Sequence, residues 1–351
     1  MKKWLFGKVF IFIITIITII VIVIKFYNLF SFPVLADGNY KQLKKIDKGK
    51  SEFTIAVFGD NKNSHKVFEN LIDSVNNDPE IDFCIDLGDL VYDGEREKYN
   101  YFLNQVKRLN VPYLTAVGNH DIKEDGRAVY YDLYGPYYYS FNIGDAYFII
   151  LDDASEVELE QSQMAWLKSE LKVSQKFKYK FVMFHVPLYD PREKIPPAPL
   201  FTIPIFKEYE FHHSLENKKQ AGELIKLFEN YNITHIYASH IHAYYTGKWG
   251  NIPFTITGGA GAELIGNDPQ HDYYHYIKLE ITPASYTETI VKLPTPDFEI
   301  FDRITHDLWI YIYAFFVIHF WDIILVLTLI YLGYYFIFIK YKILTYNKRN
   351  R

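Results

Sequence analysis

Ile81-Asp82-Phe83-Cys84-Ile85-Asp86-Leu87-Gly88-Asp89-Leu90-Val91-Tyr92-Asp93 is a largely apolar run that stops abruptly at Gly-Asp, followed by a tyrosine and a second acid. Four other stretches follow the same plan. Phe53 to Phe58 ends in Gly59-Asp60, and Pro112 to Val117 ends in Gly118-Asn119-His120-Asp121. Tyr179 to Phe184 ends in His185, and Thr234 to Ala238 ends in Ser239-His240-Ile241-His242. Short β-branched and aromatic runs bounded by Gly or Asp predict buried strands. In an open α/β sheet, ligands collect beyond the carboxyl ends of such strands. Five strand ends are therefore expected to deliver Asp60, Asp89, Asn119, His185, His240 and His242 to one rim, with Asp89 between two metal ions.

The runs between these strands carry helical periodicity. Val67-Phe68, Leu71-Ile72 and Val75 share one face, as do Tyr99, Phe102-Leu103 and Val106, and later Met164, Trp166-Leu167 and Leu171. Asn142 to Asp145 joins two strand-like runs as a hairpin, and Tyr273–Leu279 and Thr287–Val291 read as further strands. An α/β domain over residues 51–300 follows.

Charge separates this domain from the ends. Residues 1–50 hold nine Lys against two Asp, and residues 301–351 hold six Lys/Arg against three Asp. With −5 for the whole chain, residues 51–300 carry −15. A surface so acidic repels a phosphate backbone, so nucleic acid is excluded as a partner. An aromatic content of 18% and a hydrophobic content of 49% exclude disorder. The lone cysteine, Cys84, excludes an intrachain disulfide.

Both ends read as membrane segments. Val9 to Ile24 is uninterrupted Ile, Val, Phe and Thr between Lys8 and Lys25. It reads as an N-terminal anchor within residues 1–30; a cleaved signal peptide, with Val34-Leu35-Ala36 as the processing site, is the alternative. Residues 31–50 read as a linker. Leu308 to Ile339 is long for one span of about 20 residues. Two divisions are open: a membrane-surface segment over 301–322 followed by a transmembrane helix over 323–339, or one long tilted helix with Asp322 at the interface. A basic tail, 340–351, follows. Basic flanks at both ends place the termini in the cytoplasm and the acidic domain outside it, on the cell membrane. Asp190 to Phe211, with five prolines close behind His185, reads as a lid or membrane-facing flap.

Carboxylates, an amide oxygen and imidazoles suit borderline metals such as Mn, Fe and Zn. Two ions about 3.5–4 Å apart can share a carboxylate and a hydroxide, which attacks phosphorus in line with the leaving oxygen. His120 is expected to protonate that oxygen and Asp121 to orient His120. His65, His212, His213, His271 and His275 are expected at the surface or in loops, and Asp152-Asp153 is expected to end a strand with no catalytic part.

The ordered set of Gly59-Asp60, Gly88-Asp89-Leu90-Val91-Tyr92, Gly118-Asn119-His120-Asp121, Phe184-His185-Val186-Pro187 and Ser239-His240-Ile241-His242 resembles the five blocks of the calcineurin-like metallophosphoesterases, nearest the branch that includes the purple acid phosphatases. The resemblance covers residues 53 to about 285 and extends to Tyr134-Gly135-Pro136 and Gly258-Gly259-Ala260-Gly261. It implies two mixed sheets packed as a sandwich and flanked by helices. It also implies a first metal on Asp60, Asp89 and His242, and a second on Asp89, Asn119, His185 and His240. Many members have His two residues after the first Asp; this chain has Lys62. Purple acid phosphatases ligate iron(III) with a tyrosine, and Tyr92 stands at that position. The first metal then has either Tyr92 or an incomplete ligand set, and Lys62 and Asn119 are candidate contacts for substrate phosphate.

The expected protein is a membrane-anchored hydrolase that acts outside the cytoplasm on a lipid-linked or cell-envelope phosphoester, with two divalent or mixed-valence ions (Fe, Mn or Zn). A non-catalytic sensor or scaffold that keeps the fold is the competing expectation. An extracellular nuclease conflicts with the charge.

Overall fold

The computed structural model describes residues 2–30, 37–192, 213–266, 268–294 and 300–349, and the chain divides into two units, 34–310 and the two terminal segments together. In chain order the elements are α1 (Lys2–Phe30), α2 (Gly38–Leu43), β1 (Phe53–Phe58), α3 (Lys66–Asn76), β2 (Ile81–Asp86), α4 (Arg96–Val106), β3 (Tyr113–Thr115), α5 (Gly126–Tyr134), β4 (Tyr139–Ile143), β5 (Ala146–Ile150), α6 (Gln161–Ser174), β6 (Tyr179–Met183), α7 (Lys218–Asn230), β7 (His235–Ala238), β8 (Tyr244–Trp249), β9 (Ile252–Thr257), β10 (His275–Ile281), β11 (Tyr286–Lys292) and α8 (Ile300–Arg349).

The strands form two mixed sheets. One has the order β11-β10-β1-β2-β3, with β1, β2 and β3 parallel; the other has the order β4-β5-β6-β7-β9-β8, with β5, β6, β7 and β9 parallel. Successive side chains leave a strand on opposite faces, and here both faces are buried. Ile55 and Val57 of β1, Phe83 and Ile85 of β2, and Phe148, Ile150, Phe181 and Met183 of the other sheet pack together as the layer between the sheets. The alternate residues Tyr147, Ile149 and Val182 face Leu167 and Leu171 of α6 and Leu224 and Phe228 of α7. On the far side of the first sheet, Phe58 and Tyr113 meet Phe68 of α3 and Phe102 of α4 in ring contacts of 5.9–6.3 Å. The apolar stripes of α3, α4 and α6 are thus core faces. The result is the expected sandwich flanked by helices.

Three expectations about boundaries are corrected. The stretch read as a linker is not one beyond residue 36. Leu43 lies in the inter-sheet core, and the Lys48 carbonyl accepts from the Gly144 N–H. Asn39, buried, pairs with the edge strand β3: its Oδ1 accepts from the Thr115 N–H at 2.9 Å and its Nδ2 donates to the Thr115 carbonyl at 3.3 Å. One amide side chain so does the work of a neighbouring strand. Secondly, α8 runs unbroken for 50 residues, which is the one long helix the sequence left open, so a separate surface helix ending before Ile323 is not formed. Helical hydrogen bonding is satisfied within the chain, and nothing in Trp321-Asp322 interrupts it. Thirdly, His275, expected at the surface or in a loop, is fully buried in β10. It is accommodated as neutral imidazole: burial pushes it down to about 4, and its nitrogens meet the Tyr273 carbonyl and the Thr257 hydroxyl. The Asp190–Phe211 flap lies outside the described residues from 193 onward, and so does the Val34–Ala36 site.

Within the terminal unit, α1 and α8 contact one another in antiparallel order. Lys25 pairs with Asp322 at 2.6 Å, and Phe10 meets Tyr331 edge-on at 5.4 Å. Val9–Tyr27 and His319–Ile339 are each long and apolar enough to cross a membrane.

Asn39→Ala should lower the unfolding free energy by about 1–3 kcal/mol, because it leaves the buried Thr115 N–H without an acceptor. Urea denaturation of the full chain checks this; an unchanged midpoint would contradict it.

Candidate metal centre

The five predicted strands are β1, β2, β3, β6 and β7, and each is followed by its expected polar residues. The first three belong to one sheet and the last two to the other, so the site lies where the carboxyl ends of both sheets meet. The loops follow one another closely. The Asp60 N–H donates to the Gly88 carbonyl at 3.0 Å, Lys62 N–H to the Asp89 carbonyl at 3.0 Å, and Ser239 N–H to the His185 carbonyl at 2.9 Å. Asp60, Asp89 and His240 leave their strands in the left-handed region, at φ 63°, 57° and 64°, and Lys62 and Asn63 do so at 43° and 58°. Non-glycine residues there are uncommon and concentrate where surrounding structure enforces a functional geometry.

Two groups of potential ligands result. Asp60, Asp89 and His242 form one, and Asp89, His185 and His240 the other; within each, the candidate ligand atoms lie within 4.8 Å of one another. Asp89 belongs to both. Asn119 joins the second group, its Oδ1 3.0 Å from His185 Nε2 and 3.2 Å from His240 Nδ1. Neighbouring carbonyls set the imidazole tautomers. His185 Nδ1–H donates to the Leu87 carbonyl at 3.0 Å and His242 Nδ1–H to the Glu263 carbonyl at 2.6 Å, so each Nε2 faces the site. Asp60 Oδ1 and Asp89 Oδ2 are buried with no hydrogen-bond partner. Bare carboxylate oxygens are costly unless a cation meets them. Orphaned oxygens, a mixed O/N donor set and fixed tautomers together fit divalent metal ions.

Electrostatics centre on Asp89. Despite complete burial, His185 at 3.3 Å, His120 and Lys62 hold its carboxyl well below the usual carboxylate range. Against its own desolvation, His185 is raised by Asp89 to about 10. Burial, helped by His185, holds His240 neutral, the form that ligates.

His120 and Asp121 have different partners from those expected. Asp121, fully buried, accepts the backbone N–H groups of Asp89 at 3.0 Å, Val91 at 3.1 Å and Gly118 at 2.8 Å. It joins two ligand loops and does not orient His120. The Tyr92 carbonyl does that, accepting from His120 Nδ1–H at 2.6 Å, while the His120 N–H donates to Asp89 Oδ1 at 2.9 Å. Burial lowers His120, opposed by Asp89 and aided by Lys62 and Lys123. The Tyr92 ring lies 5.7 Å from the His120 ring, with Lys98 over its face. Lys62 is buried beside Asp89, with Nζ 3.3 Å from Oδ2.

Sequence reasoning missed several neighbours. Lys123 Nζ lies 3.3 Å from His120 Nε2. Asp153, read as only ending a strand, accepts the N–H groups of His185 and Val186 at 3.0 and 2.9 Å. Glu156, on a left-handed backbone, feels His185 and Asn119, and the His213 ring lies 6.2 Å from that of His240. Lys123, Glu156 and His213 lie outside the strand-end pattern, and what Asp153 binds depends on how its loop meets the one that carries His185.

A fold of two mixed sheets with such a rim is that of the metallophosphoesterases, and the chain belongs to the calcineurin-like phosphoesterase family, whose family model matches residues 53–244. A protein of Xenorhabdus bovienii named Probable cyclic nucleotide phosphodiesterase is 29% identical over 121 residues, 32% of this chain and 49% of that protein, so the chain spans about half the length of this relative. A protein of Arcobacter nitrofigilis named Probable glycerophosphodiester phosphodiesterase is 24% identical over 218 residues, 59% of this chain and 74% of that protein. Among solved structures, a purple acid phosphatase from yellow lupin seeds aligns with a TM-score of 0.52 at 17% identity, covering 74% of this chain and 56% of that one. GAP50, the anchor in the inner membrane complex of Plasmodium, aligns at 0.51 and 14% identity, covering 74% of this chain and 95% of that one. At these identities the structural likeness is one of fold.

Gly118 packs directly against Asp89: a Cβ there would stand 2.2 Å from Asp89 N and 2.3 Å from its Oδ1. Gly118→Ala should therefore displace the shared carboxylate and weaken metal binding by about 10–100-fold, the range seen when supporting residues are lost. Metal analysis after dialysis against a chelator checks this, and wild-type metal retention would contradict it.

Proposed function

We propose that this chain hydrolyses a phosphoric ester at a pair of cations, on a domain anchored to the membrane and facing away from the cytoplasm. The observation that carries this reading is Asp89, common to both ligand groups. Asp60, Asp89 and His242 would hold one ion, and Asp89, Asn119, His185 and His240 the other. Ligation by Tyr92 belongs to the same proposal. Bound there, Fe, Mn or Zn would supply Lewis-acid chemistry at the phosphate.

The chain's own residues do the rest. His120 commits Nδ1–H to the Tyr92 carbonyl, which leaves Nε2 to hand a proton to the leaving oxygen. Asn119, Lys62 and the rim residue Lys123 offer an amide and two ammonium groups to phosphate oxygens. Asp121 and Asp153 keep the loops in register. The names of both relatives support a phosphodiester as substrate. The two apolar helices support a lipid-linked or cell-envelope one, and the −15 of residues 51–300 argues against a polynucleotide. The five Lys and Arg residues after Ile339 support a cytoplasmic C-terminus.

The non-catalytic scaffold keeps one observation in its favour, the ammonium of Lys62 seated against Asp89. His120→Ala separates the readings. Metal-loaded wild-type protein should cleave bis(p-nitrophenyl) phosphate. The variant should retain its metal and lose about 10²–10⁴-fold in turnover. Stoichiometric metal with no cleavage of any phosphomonoester or diester would overturn the enzyme.

A further inference from the structure

We propose that a strip of basic and aromatic side chains, running from the rim of the metal centre along α5 to α2, is the face that the catalytic domain lays against anionic lipid headgroups. This rests on the membrane-anchored reading above and says how a lipid-linked ester would be met. Lys123, in the turn before α5, and Arg127 and Tyr131 within it recur every four residues and so share one helix face. Lys123 and Tyr131 are exposed, Tyr131 at 51%. The part-exposed Arg127 is held by Asp152 at 2.8 Å and lies over the Tyr137 ring, which meets that of Tyr131 at 5.7 Å. Asp132 leaves α5 on another side, where Arg96 stands 3.9 Å away.

The strip continues onto α2. Gly38 lies against the C-terminal end of α5, so closely that a Cβ there would stand 2.3 Å from the Leu133 carbonyl oxygen. With Leu43 committed to the core and Asn39 to β3, α2 turns Tyr40 and Lys41 to solvent, and Lys44 and Lys45 follow. Tyr40 is 57% exposed, and the Lys44 ammonium stands 4.4 Å above its ring. Charge selects the occupant. Residues 37–50 hold five Lys against Asp37 and Asp47, which is +3 beside the −15 of residues 51–300. Exposed lysines alone mark a solvated face, but exposed tyrosines among them suit the boundary where headgroups meet acyl chains. The lysines are drawn to anionic headgroups within a screening length. Only residues 28–37 separate α2 from the apolar Val9–Tyr27 stretch, so the chain itself keeps the strip within reach of a bilayer that stretch enters.

Spin labelling of the full chain in lipid nanodiscs tests this, because the native thiol, Cys84, is buried and takes no label. A nitroxide on Tyr131→Cys should be shielded from a water-soluble nickel relaxant in discs rich in phosphatidylglycerol, and open to it in phosphatidylcholine alone. A nitroxide on Val173→Cys, on α6 and 40% exposed, should stay open in both. Replacing three lysines together, Lys41→Glu, Lys44→Glu and Lys45→Glu, should return the Tyr131 label to the accessibility of the Val173 label, and so should concentrated salt. Circular dichroism checks that each variant folds. Equal accessibility of the two labels in anionic discs, or shielding that neither lipid charge nor the lysine reversals change, would overturn the inference and leave the hydrolase in place. The label reports contact and not turnover, so a shielded label on a protein that cleaves no phosphoester would overturn the hydrolase alone.

Discussion

A single buried carboxylate, that of Asp89, sets the terms for the rest of the domain. It is fully buried and charged, which is tolerable only if positive charge and directed donors surround it. His185 and Lys62 supply the charge, and the His120 N–H supplies a donor. One oxygen is still left without a hydrogen bond. A fold that needed only stability would place an apolar residue there. The left-handed backbone at Asp89 and the close approach of Gly118 show how tightly the position is enforced.

Further buried acids do this enforcing. Asp121 gathers three backbone N–H groups from the loops after β2 and β3, and Asp153 gathers two from the loop after β6. Asp86 accepts from Asn61 at 2.8 Å, from the Gly88 N–H at 3.2 Å and from the Tyr113 hydroxyl. Each acid ties loop backbone, or a residue beside a ligand, to the end of a strand. The division of labour is physical. Acids saturated by hydrogen bonds hold the frame, and the acids left partly bare, Asp60 and Asp89, face the ions. Ligands fixed in this way reach the site already oriented.

The sequence announced the ligand-bearing strands because each is an apolar run cut off by a polar residue, and burial on both sheet faces removes any polar alternation that would blur the pattern. The hairpin at Gly144-Asp145 was legible for a similar reason. The partners of Asp121 and His120 were not. Adjacent residues in a loop suggested a mutual contact, but which side chain reaches which backbone depends on how two loops lie against each other. Asn39 was read as linker because the short, polar α2 has no periodicity, and only β3 at the sheet edge gives it a role. His275 looked like a surface residue, since nothing in the sequence shows that Tyr273 and Thr257 satisfy both its nitrogens. The β8–β9 hairpin went unnoticed because the exposed half of β8, Thr246-Gly247-Lys248, hides the strand pattern.

Anomalous diffraction from crystals equilibrated with Mn(II) or Zn(II) tests the shared carboxylate most directly. The account predicts two peaks about 3.5–4 Å apart, one on each side of Asp89. A lone peak away from Asp89, or none at saturating metal, would contradict it.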